Sequence, residues 1–211
     1  MKALDMNTWP RREAYGFFSG LSNPFYMVSF KVDVTRLYDY TKAHGLSFYM
    51  GMVWACTRAV NQVAAFRVAL REGQLVEVDR RDPSFTDLNK GAEQFHIVTV
   101  DYMEDADAFC REAARLSREQ TAFVDMSKET DDLIYFSCLP WIDLTAMTNE
   151  RDMAAPGALD DSIPRITWGK YTQENERKTL CVSLEVNHRF IDGLHIGRFN
   201  QALETCINNL K

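Results

Sequence analysis

The chain has 211 residues, 46% of them hydrophobic and 26% charged, with a formal net charge of -6 at pH 7; this suits one domain, residues 1–211, able to bury a sizeable core. No run of Lys and Arg offsets the negative charge, which argues against a nucleic-acid binder, because such a protein needs a clustered basic surface. The start MKALDMNTWPRRE has no apolar secretory segment and no stretch approaches the roughly 20 apolar residues of a membrane span, so a soluble, cytoplasmic protein without membrane contact is expected, its five cysteines reduced and none of them in a CxxC pair.

Residues 27–34 alternate Val28, Phe30, Val32 and Val34 with Ser29, Lys31 and Asp33, which predicts a strand. Thr35 is then placed to cap a short helix ending near His44 and Gly45. Met52, Ala55, Cys56, Ala59 and Val60 keep helical spacing within 48–63, a second and longer helix. The runs FRVAL and LVEV flank Arg71-Glu72-Gly73-Gln74, a hairpin signal. A strand over 95–100 leads into a helix over 105–119, and a strand over 133–138 is stopped by Pro140. Residues 150–164, with Pro156, Gly157 and Pro164, read as a surface loop. Two strands, 165–171 and 178–190, are joined through TQENER. A final helix over 194–210 aligns Phe199, Ala202, Leu203, Cys206, Ile207 and Leu210. Hairpins rather than regular βαβ alternation organise this mixed α/β chain.

The stretch EVNHRFIDGLH, residues 185–195, concentrates the chemistry. Leu180, Val182, Leu184, Val186 and His188 share one strand face, and Ser183, Glu185 and Asn187 the other. An imidazole that continues an apolar face is partly desolvated, which favours its neutral form and lets it act as a base near neutral pH. Pattern alone favours a core histidine satisfied by one hydrogen bond. Asp192 reads first as a turn or N-cap residue, Gly193 as the sharp corner between strand and helix, and His195 as structural. No metal is expected, because four histidines without a His/Cys cluster fall short of a ligand set.

HRFIDG also matches the HxxxDG signature of CoA-dependent acyltransferases. Together with NTWPRREAYGFF, SFYMGMVWACTRAVNQ, LVEVDRRDPSFT, FSCLPWIDLTA, ITWGKYTQ and VNHRFIDGLHIGRFNQALE, in family order and spacing, it makes the chain resemble the trimeric chloramphenicol acetyltransferases over nearly its whole length. The fold this implies is an α/β two-layer sandwich of a mixed, largely antiparallel sheet with helices, assembled as a homotrimer with active sites at the subunit interfaces. The implied reaction moves acetyl from acetyl-CoA, a co-substrate rather than a bound cofactor, to a hydroxyl of chloramphenicol or a similar small amphiphilic alcohol. His188 falls on the family's general base, Ser137 on its oxyanion donor, and Thr167 on a residue that helps hold a water near the reacting centre. Asp192 pairs with Arg11 in that arrangement, a buried pair whose disruption is worth about 3 to 5 kcal/mol, and with Gly193 it supports the corner that carries His188. Phe95 and Phe123 match aromatic positions of the acceptor pocket, and Lys170 and Tyr171 the region beside the CoA nucleotide.

Three positions depart from the family pattern. Asn187 replaces a second histidine, Phe18 stands where the acceptor pocket usually has a tyrosine, and Tyr135 replaces a polar residue two before Ser137. Changes in hydrogen-bonding groups alter substrate choice, so a different small alcohol or a thiol remains an alternative acceptor. NHRFIDG is also similar to the DHRxxDG of dihydrolipoyl acyltransferase domains, although the flanking segments favour the drug-acetyltransferase side. A non-catalytic trimeric ligand-binding protein is the competing class. It would need neither His188 nor Ser137.

Overall fold

Two complete rows of side chains cross the main sheet, and their chemistry sets the architecture. The computed structural model describes all residues 1–211. In chain order the elements are β1 (Lys2–Ala3), α1 (Arg12–Ser19), β2 (Phe25–Asp33), α2 (Thr35–Ala43), α3 (Phe48–Asn61), β3 (Val68–Arg71), β4 (Gln74–Glu77), β5 (Asp82–Asp87), β6 (His96–Thr99), α4 (Ala106–Glu119), β7 (Leu133–Leu139), β8 (Arg165–Gly169), β9 (Thr172–Glu174), β10 (Arg177–Asn187) and α5 (Gly193–Asn208). The main sheet runs β2-β10-β8-β7-β5-β6, with β9 beside the start of β10, and β1-β4-β3 form a small second sheet. β5–β7 and β7–β8 pair in parallel and the other strands antiparallel.

Val28, Leu184, Ile166, Phe136, Phe85 and Val98 stand in register from β2 to β6. This apolar face meets the helices: Phe30 and Phe66 pack on Phe199 of α5, and Trp168 on Tyr49 of α3. α3 is buried along most of its length, from Met50 to Val60, so its sequence reads as apolar on nearly every side. Sheet and helices are thus two layers around one main core. The architecture is the expected α/β two-layer arrangement, a mixed sheet with five helices.

The opposite row is Met27, Glu185, Arg165, Tyr135, Ser84 and Thr99. Much of that face lies under residues 142–163; the loop expected over 150–164 does expose 152–154 and 156–157, but it also straps across the sheet. Met147 and Asn149 donate backbone N–H groups to Ser183 Oγ (3.0 Å) and Glu185 Oε2 (3.3 Å). Arg151, its side chain only 9% exposed, pairs with Glu185 at 2.6 Å and with Asp161, while Arg165 reaches Asp161 at 3.2 Å. Gly169 permits the strap's entry, since a Cβ there would lie 2.5 Å from the Ile142 carbonyl. The polar side of β10 is consequently buried rather than solvated: Ser183, Glu185 and Asn187 are each at most 5% exposed.

Other differences are local. Thr35 is the first residue of α2 rather than its cap; Asp33 accepts its N–H and hydroxyl, and Thr35 Oγ1 accepts the Lys178 N–H at 2.8 Å. The helix read over 48–63 stops at Asn61, and the strand read over 178–190 stops at Asn187, which puts His188 in the turn beyond it. The hairpin turn holds, with Glu72 and Gly73 both at positive φ (52° and 77°) as a two-residue hairpin turn requires. Unanticipated is β5, between β7 and β6. Arg81, just before it, is fully buried and donates to the carbonyls of Phe66, Val68, Asp131 and Leu133 and to Ser162 Oγ.

Candidate active site

The turn after β10 is closed by its own backbone. His188 N–H donates to the Pro24 carbonyl at 2.9 Å, and the N–H groups of Phe190 and Ile191 both donate to the Asn187 carbonyl. Asp192 then caps α5, accepting the Leu194 N–H at 3.1 Å, while His195 Nδ1 accepts the Asp192 N–H at 3.1 Å. Arg11, brought in by the segment before α1, pairs with Asp192 and donates Nη2 to the His188 carbonyl at 3.0 Å. The aspartate therefore has both jobs weighed for it, helix cap and partner of Arg11. Burial raises its carboxyl pKa, but Arg11 and His195 outweigh this and hold it below the ordinary value. The pair is less buried than expected, with Asp192 38% exposed against 12% for Arg11, so its disruption should cost less than the loss of a fully buried pair. Gly193 also differs from expectation: it has no positive φ, and a side chain there would meet open space, so the turn at 188–192 makes the corner without it.

His188 is half-buried, and its hydrogen bonds to other residues all run through its backbone. Burial, with the Arg11 charge, lowers its pKa below the ordinary imidazole value, and Asp192 opposes the shift. Phe18 lies against the imidazole, with ring centroids 3.8 Å apart and planes 20° apart. This places Phe18, read from the sequence as an acceptor-pocket aromatic, directly beside the histidine. Tyr26 is a second ring contact, at 4.2 Å and 33°, and the sequence reading did not select it. Its signal was the strand alternation Tyr26, Val28, Phe30, but only the pairing of Tyr26 with Val186 brings it beside residue 188. On the far side of the turn Arg189 donates to the Leu159 carbonyl, to Asp160 (2.7 Å) and to the Tyr15 hydroxyl, and a cavity of about 370 Å³ opens between Ser19, Met153, Leu159, Asp160 and Arg189.

Ser137 and Thr167 are adjacent in register on β7 and β8, next to Ser183 of β10. Ser137 is half-buried, whereas Thr167 is fully buried with its hydroxyl 3.4 Å from Asn149 Oδ1. Two positions earlier on the same face, Tyr135 donates its hydroxyl to Glu129 at 2.8 Å, and burial followed by the Glu129 charge raises its pKa. Phe95 and Phe123 pack on each other at 5.4 Å, both 45% exposed, at the β6 edge where Ile97 N–H meets the Phe123 carbonyl. They lie two strands from β7 and four from β10, nearer Ser137 than His188. Lys170 is exposed just past β8, and Tyr171 packs against Tyr38 and Phe48. Five residues of strand and two interstrand steps separate His188 from Ser137, about 20 Å at ordinary strand spacings. One chain thus holds these residues in two separate groups: His188 with Phe18, Tyr26, Arg11 and Asp192, and Ser137 beside Thr167, with Tyr135 two positions earlier on its strand and Phe95 and Phe123 two strands away.

A family model described as chloramphenicol acetyltransferase matches residues 1–204. Chloramphenicol acetyltransferase 2 of Escherichia coli is 30% identical over 210 residues, 98% of this chain and 97% of its own. A chloramphenicol acetyltransferase of Streptomyces acrimycini is 29% identical over 97% of this chain and 93% of its own. Among solved structures, a chloramphenicol acetyltransferase superposes with a TM-score of 0.84 at 25% identity, covering 100% of both chains. Dihydrolipoamide acetyltransferase of Azotobacter vinelandii shares the fold, with a TM-score of 0.69 at 18% identity over 93% of this chain and 86% of that one.

Proposed function

The chain belongs to the chloramphenicol acetyltransferase family of acyltransferases, and on that premise we propose that it carries acetyl directly from acetyl-CoA to a hydroxyl of chloramphenicol or a similar small amphiphilic alcohol. His188 takes the acceptor hydroxyl proton as the oxygen attacks the thioester carbonyl. The Ser137 hydroxyl donates to the oxyanion of the tetrahedral intermediate, and Thr167 helps hold a water beside it. Collapse of the intermediate breaks the C–S bond, and the leaving thiolate recovers the proton from the imidazolium. The products are the acetyl ester and free CoA. No acyl-enzyme is formed.

The observation that carries this reading is the state of His188, a half-buried imidazole whose ring nitrogens are bonded to no other residue and whose pKa is lowered by burial. Its separation from Ser137 supports a homotrimer in which His188 of one copy faces Ser137, Phe95 and Phe123 of the next. Lys170 and Tyr171 are assigned beside the CoA nucleotide, in a cytoplasmic enzyme that meets acetyl-CoA where it is made. No helix is long and apolar enough to cross a membrane.

A second acceptor class is favoured by two side chains. Phe18 offers no hydroxyl, and that of Tyr135 is already given to Glu129, so a small alcohol or thiol other than chloramphenicol fits the same chemistry. Chromatographic measurement of the free CoA formed from acetyl-CoA, with a panel of chloramphenicol, small alcohols and small thiols, decides between them, since transfer to a thiol leaves the total of free thiols unchanged. Acceptor-dependent release supports acetyl transfer and ranks the acceptors; release no faster than in buffer with every acceptor refutes it.

A further inference from the structure

The N–H groups of the three residues after His188 all end on one residue, Asn187. Its carbonyl takes those of Phe190 (3.1 Å) and Ile191 (3.0 Å), and its side-chain Oδ1 takes that of Arg189 at 3.1 Å. The last of these is an Asx turn, in which the side-chain oxygen takes the N–H two residues on and fixes the bend between them. Here the residue in the bend is the histidine.

The other arm of the same amide leads away from the turn. Asn187 Nδ2 donates to the carbonyls of Leu159 (2.8 Å) and Asp161 (3.0 Å), which belong to the strap over the sheet. On the other flank of His188, Arg189 donates to the Leu159 carbonyl at 2.6 Å and to the Asp160 carboxylate at 2.7 Å. Three consecutive strap residues are therefore held by the two neighbours of the histidine, each of them at most 5% exposed. An amide suits position 187 because it offers two donors and an acceptor at once. A neutral imidazole, the side chain that Asn187 replaces in the family pattern, offers one of each and would lose one of the three bonds.

We infer that Asn187 is a positioning residue for His188: Oδ1 fixes the turn that presents the imidazole, and Nδ2 fastens that turn to the strap, whose Met153, Leu159 and Asp160 wall the cavity beside Arg189. The inference rests on His188 as the base of the proposed transfer. Removing Oδ1 leaves the buried Arg189 N–H unpaired, which favours rearrangement of the turn, and reacting groups displaced by about 1 Å lose roughly 100-fold in rate. Removing Nδ2 alone loosens the strap and leaves the turn bent.

Asn187→Ala and Asn187→Ser separate the two jobs. Alanine has neither arm of the amide, whereas a serine hydroxyl can accept the N–H two residues on but lacks the second arm. Asn187→Ala should lower kcat about 10- to 100-fold with KM for acetyl-CoA held within about two-fold, and Asn187→Ser should recover most of that loss. Amide exchange over 158–163 should quicken about ten-fold or more in both. Proton NMR titration of His188, its signals identified by their loss in His188→Gln, adds a reading that needs no turnover. The groups facing the ring, Arg11, Asp192 and the Tyr26 phenol, are the same in every variant. The pKa of His188, held down by burial, should stay low in Asn187→Ser and rise toward about 6.5 in Asn187→Ala as water enters the opened turn. Full kcat or an unmoved His188 pKa in Asn187→Ala would overturn the inference, and so would an Asn187→Ser enzyme no better than Asn187→Ala. If Asn187→Ala does not fold, Asn187→Ser decides: most of the rate kept with faster exchange over 158–163 supports the inference, and unchanged exchange refutes it. If the unmodified protein forms no CoA with any acceptor, the proposed transfer fails, while the titration and exchange still show whether Asn187 holds the turn.

Discussion

At residue 188 the consequences of removal and of protonation can be stated separately. His188→Ala should lower the rate of CoA thiol release by about 10² to 10⁴, the usual worth of a general base, and Ser137→Ala by about 10² to 10³, that of one oxyanion donor. Circular dichroism of both variants should be unchanged. For pH the sign follows from burial: the lowered pKa keeps the imidazole neutral further into acid. kcat/KM should therefore hold at neutral pH and fall only through an apparent pKa below the ordinary value of about 6.5. His195 is shifted the same way, by burial first. Between the folded pKa values and about 6.5 the unfolded chain binds more protons than the folded one, so stability should decline as pH falls through that window. His188, Asp192 and Arg11 were legible because the HRFIDG and WPRRE segments name them. Tyr26 was not, because what places it at the histidine is a ladder between strands about 160 positions apart in sequence.

Among the elements, the strap over 142–163 was least legible. Pro156, Gly157 and several charges read as solvated loop, and each of Arg151, Asp161, Arg165 and Glu185 taken singly belongs at a surface. They become buried only as a set, each neutralising another. Glu185→Gln removes the carboxylate that meets Arg151 and should cost about 3–5 kcal/mol, as breaking a buried ion pair does. Urea unfolding would read this as a lower midpoint. Joining Glu185→Leu to Arg151→Met should recover part of the loss, because an apolar pair leaves no charge unmatched. β5 was hidden for a different reason. Asp82, Pro83 and Asp87 look like turn residues, and Phe85 is the only large apolar side chain in DPSFTD. Its neighbours β7 and β6 stabilise a strand that local propensity would not select.

For the whole molecule, the two separate groups make a prediction about mixtures. If His188 of one copy works with Ser137 of the next, His188→Ala and Ser137→Ala chains should each be nearly inactive alone yet regain activity when assembled together. With equal amounts and random assembly about a quarter of the interfaces combine an intact histidine with an intact serine, so about a quarter of the unmodified activity is expected in a closed ring of head-to-tail contacts. Activity no higher than that of the separate variants would place the site within one chain.

Arg81 carries a consequence of another kind. Its guanidinium has no carboxylate at ion-pair distance, burial lowers its pKa to about 10, and its partners lie in three distant stretches: Phe66 and Val68, Asp131 and Leu133, and Ser162. If any of these moved away alone, a cation would be left in a dry interior short of acceptors. Local fraying is therefore suppressed in favour of joint opening. Amide hydrogen exchange should find 66–68, 131–133 and 162–163 exchanging as one cooperative unit, including a stretch that by composition alone would be assigned to the least protected part of the chain.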